Sequence, residues 1–389
     1  MVNLGDSNCT VYIGDTEVSA IYVGTTQIYP NSTPVTVLTA ITLDNLTWVT
    51  DIPATGGTAT SANCSFTVTG YYSDGTTGNV TSQATITGSL VVASTTSTTR
   101  DNVGTLTLTA SYDGYTDSSS VSVYQAAATI DYTKEYLTFE IISGGTIYWT
   151  AGANASTKTI YYSKDDFVTS TGITSSTGGT AILVNAGDKL KFRASNSTYC
   201  DGTSVAYTNR FMTSDVKFNL CGNIMSIVNF NNFTGSTSLS GNYTFLGMFY
   251  QQSGLISAEN LILPAQTLTQ RCYQTMFRDC TSLTKAPELP ATTMTANCYT
   301  YMFAGCTSLT TAPDLPAISL TQGCYNYMFN GCSSLNYIKC LTRTRLNTTY
   351  SNNWVANVAA SGTFVKNTGV NLSTGVSGIP QGWTQVIAS

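Results

Sequence analysis

The sequence predicts a mainly β, multidomain protein: a β-sandwich, a second β-rich block and a short solenoid of repeats. Three observations carry this. Hydroxylated and aromatic residues are abundant, with 24 Tyr, and only 10% of the 389 residues are charged; such a composition favours strands and turns. Short alternating runs recur between turn signals through the first half of the chain. A 26-residue period runs through the second half. The length corresponds to two to four domains at about 150 residues each.

Composition also removes function classes. Lys and Arg number 16 against 21 Asp and Glu, a net charge of −5. Phosphate binding needs a basic footprint, so nucleic acid is not an expected partner. There is no histidine, which removes every Ser-His, Cys-His and His-metal mechanism. A display protein is expected, not an enzyme, with no cofactor, no metal and no catalytic residue. No run approaches 18 apolar residues, so no membrane insertion is expected. Met1-Val2-Asn3-Leu4-Gly5-Asp6 has no basic n-region and no apolar stretch after it, so no secretory leader is expected.

Residues 1–33 contain a tandem motif. Val11-Tyr12-Ile13-Gly14-Asp15-Thr16-Glu17-Val18 is echoed ten residues on by Ile21-Tyr22-Val23-Gly24-Thr25-Thr26-Gln27-Ile28. Each half reads strand, turn, strand, with the glycines supplying the turn chemistry. A meander this short holds no core of its own. It is either a docking element, with Val11, Tyr12, Ile13, Ile21, Tyr22 and Val23 as its anchoring residues, or a hairpin folded onto the next domain. Pro30 to Pro34 reads as a linker.

Residues 34–126 show the sandwich pattern, with turn signals about every 8–12 residues. Phe66–Tyr72 alternates into the turn Ser73-Asp74-Gly75-Thr76, and Thr105–Ala110 leads to Tyr112-Asp113-Gly114-Tyr115. Residues 127–235 form a second β-rich block, with strands expected at Tyr136–Ile141, Thr146–Trp149, Thr159–Tyr162 and Lys189–Arg193.

The repeats occupy 236–344. Cys272-Tyr273, Cys298-Tyr299 and Cys324-Tyr325 are 26 residues apart, as are Met276-Phe277, Met302-Phe303 and Met328-Phe329. A degenerate copy with two extra residues starts at Met248-Phe249, giving about four repeats, which is solenoid arithmetic. Residues 345–389 are the expected C-terminal cap. Seven of the 11 cysteines fall between 272 and 340. Stacking puts Cys280, Cys306 and Cys332 in one column, as buried thiols acting as small apolar fillers; disulfides and metal ligation are the alternatives.

Three groups of side chains are candidates for function. Asp165 and Asp166 are adjacent, so an extended strand would point them to opposite faces. Glu288 and Asp314 share one repeat position, ~5 Å apart if that position lies in a strand ladder, the carboxylate separation of a retaining glycosidase; the alternative is two solvated rim acids. Tyr273, Tyr299 and Tyr325 form one expected row and Tyr301 and Tyr327 another, two residues on. One row is expected to point outward and the other to be core. Tyrosine rows bind sugars and proteins well, so Tyr273, Tyr299, Tyr325, Glu288 and Asp314 are the candidate ligand-binding residues.

Several of these strings resemble known families. Tyr72-Ser73-Asp74-Gly75-Thr76-Thr77 with Val80-Thr81, and the closing Ala110–Gly114, resemble bacterial Ig-like domains of group 2. Tyr136–Glu140 and Asn185–Ala194 resemble a small sandwich module of gut Bacteroidetes surface proteins. Met-Phe-x-x-Cys-Thr/Ser-Ser-Leu followed by Leu-Pro resembles the BspA-like leucine-rich repeat, and Gly362–Lys366 with Gly378–Thr384 resembles the usual close of such proteins. The motif from Val11 to Pro30 resembles the starts of appendage proteins of crAss-like and related bacteriophages. The resemblance implies an elongated virion structural protein on the head or tail surface, a fibre or capsid decoration, made in the host cytoplasm. Its implied partners are a capsid or tail protein at the N-terminus and a host glycan, mucin or surface protein at the repeats. As fibres commonly are, it would be a homo-oligomer. A bacterial surface adhesin and a glycan depolymerase are the alternatives.

Overall fold

The computed structural model describes residues 36–94, 100–126 and 130–388, and the backbone of four short strands between residues 12 and 29. The fold is mainly β and multidomain, as the composition predicts. Among the described residues the helical elements are three 3-10 turns, Ser61–Asn63, Val205–Tyr207 and Ile224–Ile227. The chain divides into two units, Met1–Ile130 and Asp131–Ser389.

In the first unit the tandem motif forms two antiparallel hairpins: Tyr12–Ile13 pairs with Thr16–Glu17, and Ile21–Val23 with Thr26–Tyr29. Beyond them, Leu38–Trp48, Cys64–Tyr72 and Thr77–Asn79 form one antiparallel sheet. Thr85–Thr87, Asp101–Tyr112 and Tyr115–Gln125 form a second. The period-two pattern assigns the faces. Leu106, Leu108 and Ala110 are buried with Leu38, Ile41, Leu43, Val68 and Val123. On the solvent face, Thr107 and Ser120 share a hydroxyl hydrogen bond of 2.8 Å. The Asp113-Gly114 turn has φ of 49° and 82°, the twist-matched hairpin geometry that these two residue types tolerate. Asp117 accepts the Leu43 N–H at 2.7 Å. Buried Gln125 donates to the carbonyls of Ala93 and Pro53 at 2.8 and 3.1 Å, so its amide replaces water for two loops.

In the second unit, Thr171–Thr174, Thr159–Ser163, Lys189–Arg193, Leu137–Ser143, Lys217–Asn223 and Leu255–Ile262 lie side by side in a six-stranded sheet. Thr180–Val184, Gly145–Ala151 and Asn209–Ser214 form a three-stranded sheet. Phe139 sits among Phe192, Phe211 and Phe218, with ring centroids 4.8–5.3 Å apart. The last strand pairing is parallel: Leu255–Ile262 continues the sheet on Lys217–Asn223. The first repeat thereby grows directly out of the sandwich.

The sequence divides this region at 235/236 and 344/345. One buried core runs from Leu137 to Trp383 through both positions. The physical reason is that a repeat buries its apolar face only against a neighbour. The sandwich sheet is the neighbour of the first copy. At the far end Thr363–Lys366 lies parallel between Tyr337–Cys340 and Thr384–Ile387.

The Cys-Tyr to Cys segment of each repeat is a run of tight turns, not a strand. The N–H groups of Tyr273, Thr275, Phe277 and Asp279 donate to Cys298, Thr300, Met302 and Ala304 in the next repeat at 2.7–3.0 Å. Between them, Cys272, Gln274, Met276, Arg278 and Cys280 donate to the carbonyl three residues back at 3.2–3.3 Å. Both sets of buried donors are thus satisfied. Every fourth residue is left-handed: Arg271, Thr275 and Asp279 at φ 56°, 55° and 62°, then Asn297, Tyr301 and Gly305 at 58°, 57° and 76°. Side chains therefore leave the backbone in pairs. Cys272-Tyr273 and Met276-Phe277 go inward together, as does Cys280.

Two columns of rings fill the interior. Tyr199, Phe245, Tyr273, Tyr299, Tyr325 and Trp354 stack at 5.8–6.4 Å. Phe211, Phe249, Phe277, Phe303 and Phe329 stack at 5.5–5.9 Å. The cysteines do more than fill space. The Cys280, Cys306 and Cys332 thiols donate to the carbonyls of Phe249, Phe277 and Phe303 in the preceding copy at 3.0–3.1 Å. All ten described cysteines are free thiols.

Candidate functional site

The two tyrosine rows take opposite places. Tyr273, Tyr299 and Tyr325 are 1–2% exposed; they are the core column, so their assignment as ligand contacts is corrected. Burial holds their phenols well above the usual tyrosine range. Tyr301 and Tyr327, on the outward half of the four-residue turn, are half-buried. Their rings stack at 4.5 Å and 7°.

This outward pair belongs to a longer row. The Arg278 guanidinium lies 5.0 Å from the Tyr301 ring centroid and 5.9 Å from that of Tyr250. Arg210 also lies over Tyr250, 5.0 Å from its ring centroid. At the far end, Asn352 and Asn353 donate to the Tyr327 hydroxyl at 3.1 and 3.5 Å. Arg278 also meets Asp279 at 3.5 Å, and among the described residues no carboxylate pairs with Arg210. Burial pulls the Arg210 pKa down and the Tyr250 ring opposes it. Burial raises the Tyr301 phenol, with Tyr327 adding to the rise and Arg278 opposing it. The row offers alternating guanidinium and phenol edges on a backbone fixed by inter-repeat hydrogen bonds. That is the chemistry of polar ligand recognition: planar donors beside amphipathic rings.

Tyr250 and Arg278 hold one repeat slot, the residue after Met-Phe, and periodicity does not mark them because their types differ. Arg210 lies outside the period altogether, so no sequence signal marks it.

Glu288 and Asp314 are both exposed and line a shallow groove of about 330 Å3 with Leu289, Pro290 and Pro316. The segments carrying them are not joined by a strand ladder, the condition for the ~5 Å spacing. Asp314 instead accepts the Lys339 ammonium at 2.5 Å, an ion pair formed across to the following repeat. Asp165 and Asp166 sit beyond the end of Thr159–Ser163, in a turn where Asp166 and Phe167 are left-handed. Asp165 accepts from Ser163 and Thr169, bonds that hold its carboxyl below the usual range, and Asp166 pairs with Lys191. The strand geometry expected there is replaced by an Asx-type turn.

Of the candidate anchoring residues, Val11 and the side chains of Tyr12, Ile13, Ile21, Tyr22 and Val23 lie outside the described residues. Among the described residues no three His, Cys, Asp or Glu side chains cluster to hold a metal ion. No described helix is long and apolar enough to cross a membrane. Comparison of the chain with known protein families, curated proteins and solved structures finds no match.

Proposed function

We propose that this chain is a structural protein of a bacteriophage virion, a head or tail surface fibre or decoration that attaches particles to a host. On this reading the N-terminal hairpins dock on a capsid or tail protein. Residues 34–126 serve as an Ig-like spacer, and the repeats, of leucine-rich type, carry the contact surface. Partners there are a host glycan, mucin or surface protein, and the chain works as a homo-oligomer on the virion surface.

The observation that carries the reading is the outward row Arg278, Tyr301, Tyr327 and Asn352, with Tyr250 and Arg210 at its start. Each repeat contributes to one continuous polar-aromatic face on a rigid frame, a display arrangement. A single such face binds weakly. Many copies per particle convert weak sites into useful avidity, as linked sites raise effective concentration. The sequence resemblance supplies the virion context.

The test is mass spectrometry of purified virions, paired with labelling by an antibody against residues 241–389. Label on the head or tail surface is the expected result. Absence from particles with label on cell envelopes overturns the virion assignment in favour of a bacterial adhesin with the same face. Cleavage of a host glycan that Glu288→Ala/Asp314→Ala abolishes would overturn both in favour of a depolymerase.

A further inference from the structure

The repeats contain an internal control that isolates two arginines. Leu268, Met294, Leu320 and Leu346 fill one buried slot at 26-residue spacing. Three residues before it, the earlier copies carry Ala265, Ala291 and Ala317, all buried; the last copy carries Arg343. One residue before it they carry Thr267, Thr293 and Ser319; the last copy carries Arg345. The stack is built three times with a methyl and a hydroxyl at these positions, so packing does not require the two charges.

Local hydrogen bonds aim them outward. Thr342 is fully buried, and its hydroxyl accepts the Thr344 N–H at 2.9 Å. The Thr344 hydroxyl accepts the Leu320 N–H at 3.0 Å, and the Arg343 N–H donates to the Ile318 carbonyl at 2.8 Å. With Thr342, Thr344 and Leu346 tied toward the previous copy, Arg343 and Arg345 are left exposed. They line a surface cleft of about 440 Å3 together with Thr368, Gly369, Val370 and Asn371. None of these lining residues is a carboxylate. The Gly369 backbone has φ of 70° and open space where a Cβ would stand. Lys366 donates to the Val370 carbonyl at 3.3 Å, adding a third positive charge at the margin. Eight other Lys and Arg side chains make ion pairs among the described residues, and Arg343 and Arg345 are not among them.

We propose that Arg343 and Arg345 form an oxyanion-binding cleft that takes the sulfate or carboxylate group of an acidic glycan. Planar guanidinium forks match both groups bidentately. The Thr368 hydroxyl and Asn371 amide add neutral hydrogen bonds to the sugar that bears the charge. The cleft concentrates positive charge on an otherwise acidic chain, which favours a small charged group over a long polyanion. The glycan part of this assignment rests on the attachment function proposed above; the oxyanion part does not.

The experiment is calorimetric titration of the full-length chain with N-acetylglucosamine 6-sulfate, glucuronic acid, inorganic sulfate and uncharged N-acetylglucosamine. Wild type is compared with Arg343→Ala/Arg345→Ser, which installs residues the other copies already carry, and with Arg343→Gln/Arg345→Gln. Thermal melts confirm that each variant is folded. The expected result is binding of the charged sugars, none of the neutral sugar, at least a tenfold loss in both variants and weakening with added salt. Equal binding by wild type and folded variants overturns the cleft, as does equal binding of the neutral sugar. Binding of inorganic sulfate without the charged sugars overturns the glycan assignment. Absence of the protein from virions with the charge-dependent binding intact overturns the virion reading and leaves the cleft standing.

Discussion

Trp149 and Trp354 close the same two columns of rings from opposite ends. Trp149 meets Tyr199 at 5.7 Å and Phe211 at 4.9 Å. Trp354 meets Tyr325 at 5.8 Å and Phe329 at 6.1 Å. Each indole is fully buried, and each N–H is satisfied by a carbonyl, that of Lys158 at 2.8 Å or Gly378 at 2.7 Å. A repeat stack needs capping because its last copy otherwise exposes its apolar face. One tryptophan caps the stack inside the sandwich and the other inside the C-terminal residues.

Trp354→Ala is therefore expected to destabilise the second unit by about 3–5 kcal/mol, the usual cost of an aromatic cavity. Urea unfolding followed by hydrogen exchange checks it. Protection should fall first in the C-terminal repeats and stay unchanged in residues 36–126, since the two cores are separate.

Alkaline pH is expected to weaken the repeats selectively. Burial pushes the Cys272, Cys280, Cys332 and Cys340 thiols up to about 12, against an ordinary 9.0. Between those values the unfolded chain has released protons that the folded chain still holds. Stability from each thiol is thus complete below pH 9 and is lost as pH rises toward 12, by about 1.4 kcal/mol per pH unit. The buried tyrosines act with the same sign. Urea midpoints at pH 8, 9.5 and 10.5 should fall progressively, and Cys280→Ala should give a shallower fall than wild type.

Two glycine substitutions should differ sharply. Gly331 has φ of 78°, and a methyl added there would meet nothing closer than 3.7 Å, so Gly331→Ala costs only the left-handed backbone, about 1 kcal/mol. Gly222, where the sandwich strand pairs with the first repeat, has φ of 80° and would place a methyl 1.9 Å from the Tyr136 carbonyl oxygen. Gly222→Ala should cost at least about 3 kcal/mol, since backbone must move. Thermal melts of the two variants check the contrast.

The outward row should be separable from stability. Tyr327→Ala removes a ring stack and the Asn352 contact on a half-buried surface, about 1 kcal/mol. On the attachment reading, Arg278→Ala/Tyr327→Ala in a folded chain should lower adsorption to host cells or mucin at least tenfold. Unchanged adsorption would remove this face from the proposed function.

Much is legible in the sequence because repetition and alternation are one-dimensional signals. The 26-residue period yields the stack, the period-two runs yield strands before the repeats, and Asp-Gly at 113–114 yields its turn. The column of Cys280, Cys306 and Cys332 is legible as buried thiols, since small apolar residues at one repeat spacing stack. The choice between Tyr299 and Tyr301 is not legible. It depends on the left-handed residue every fourth position, and neither Thr275 nor Tyr301 is a residue type that announces positive φ. That one core passes through the boundaries at 235 and 344 is hidden from the sequence for a related reason. A change of sequence pattern marks a change of local geometry, whereas a shared core depends on which faces meet.

Sequence alone determined that this chain is β-rich, repetitive, histidine-free and acidic, because those properties follow from residue types and their spacing. Tertiary structure alone decided which tyrosine row faces solvent and that Arg210, Tyr250, Arg278 and Tyr301 form one row. It alone decided that Asp314 pairs with Lys339 and that Arg343 and Arg345 share an unpaired cleft. Each of these joins residues from different copies or different sheets, and only the stacking of the chain on itself brings such side chains within reach of one another.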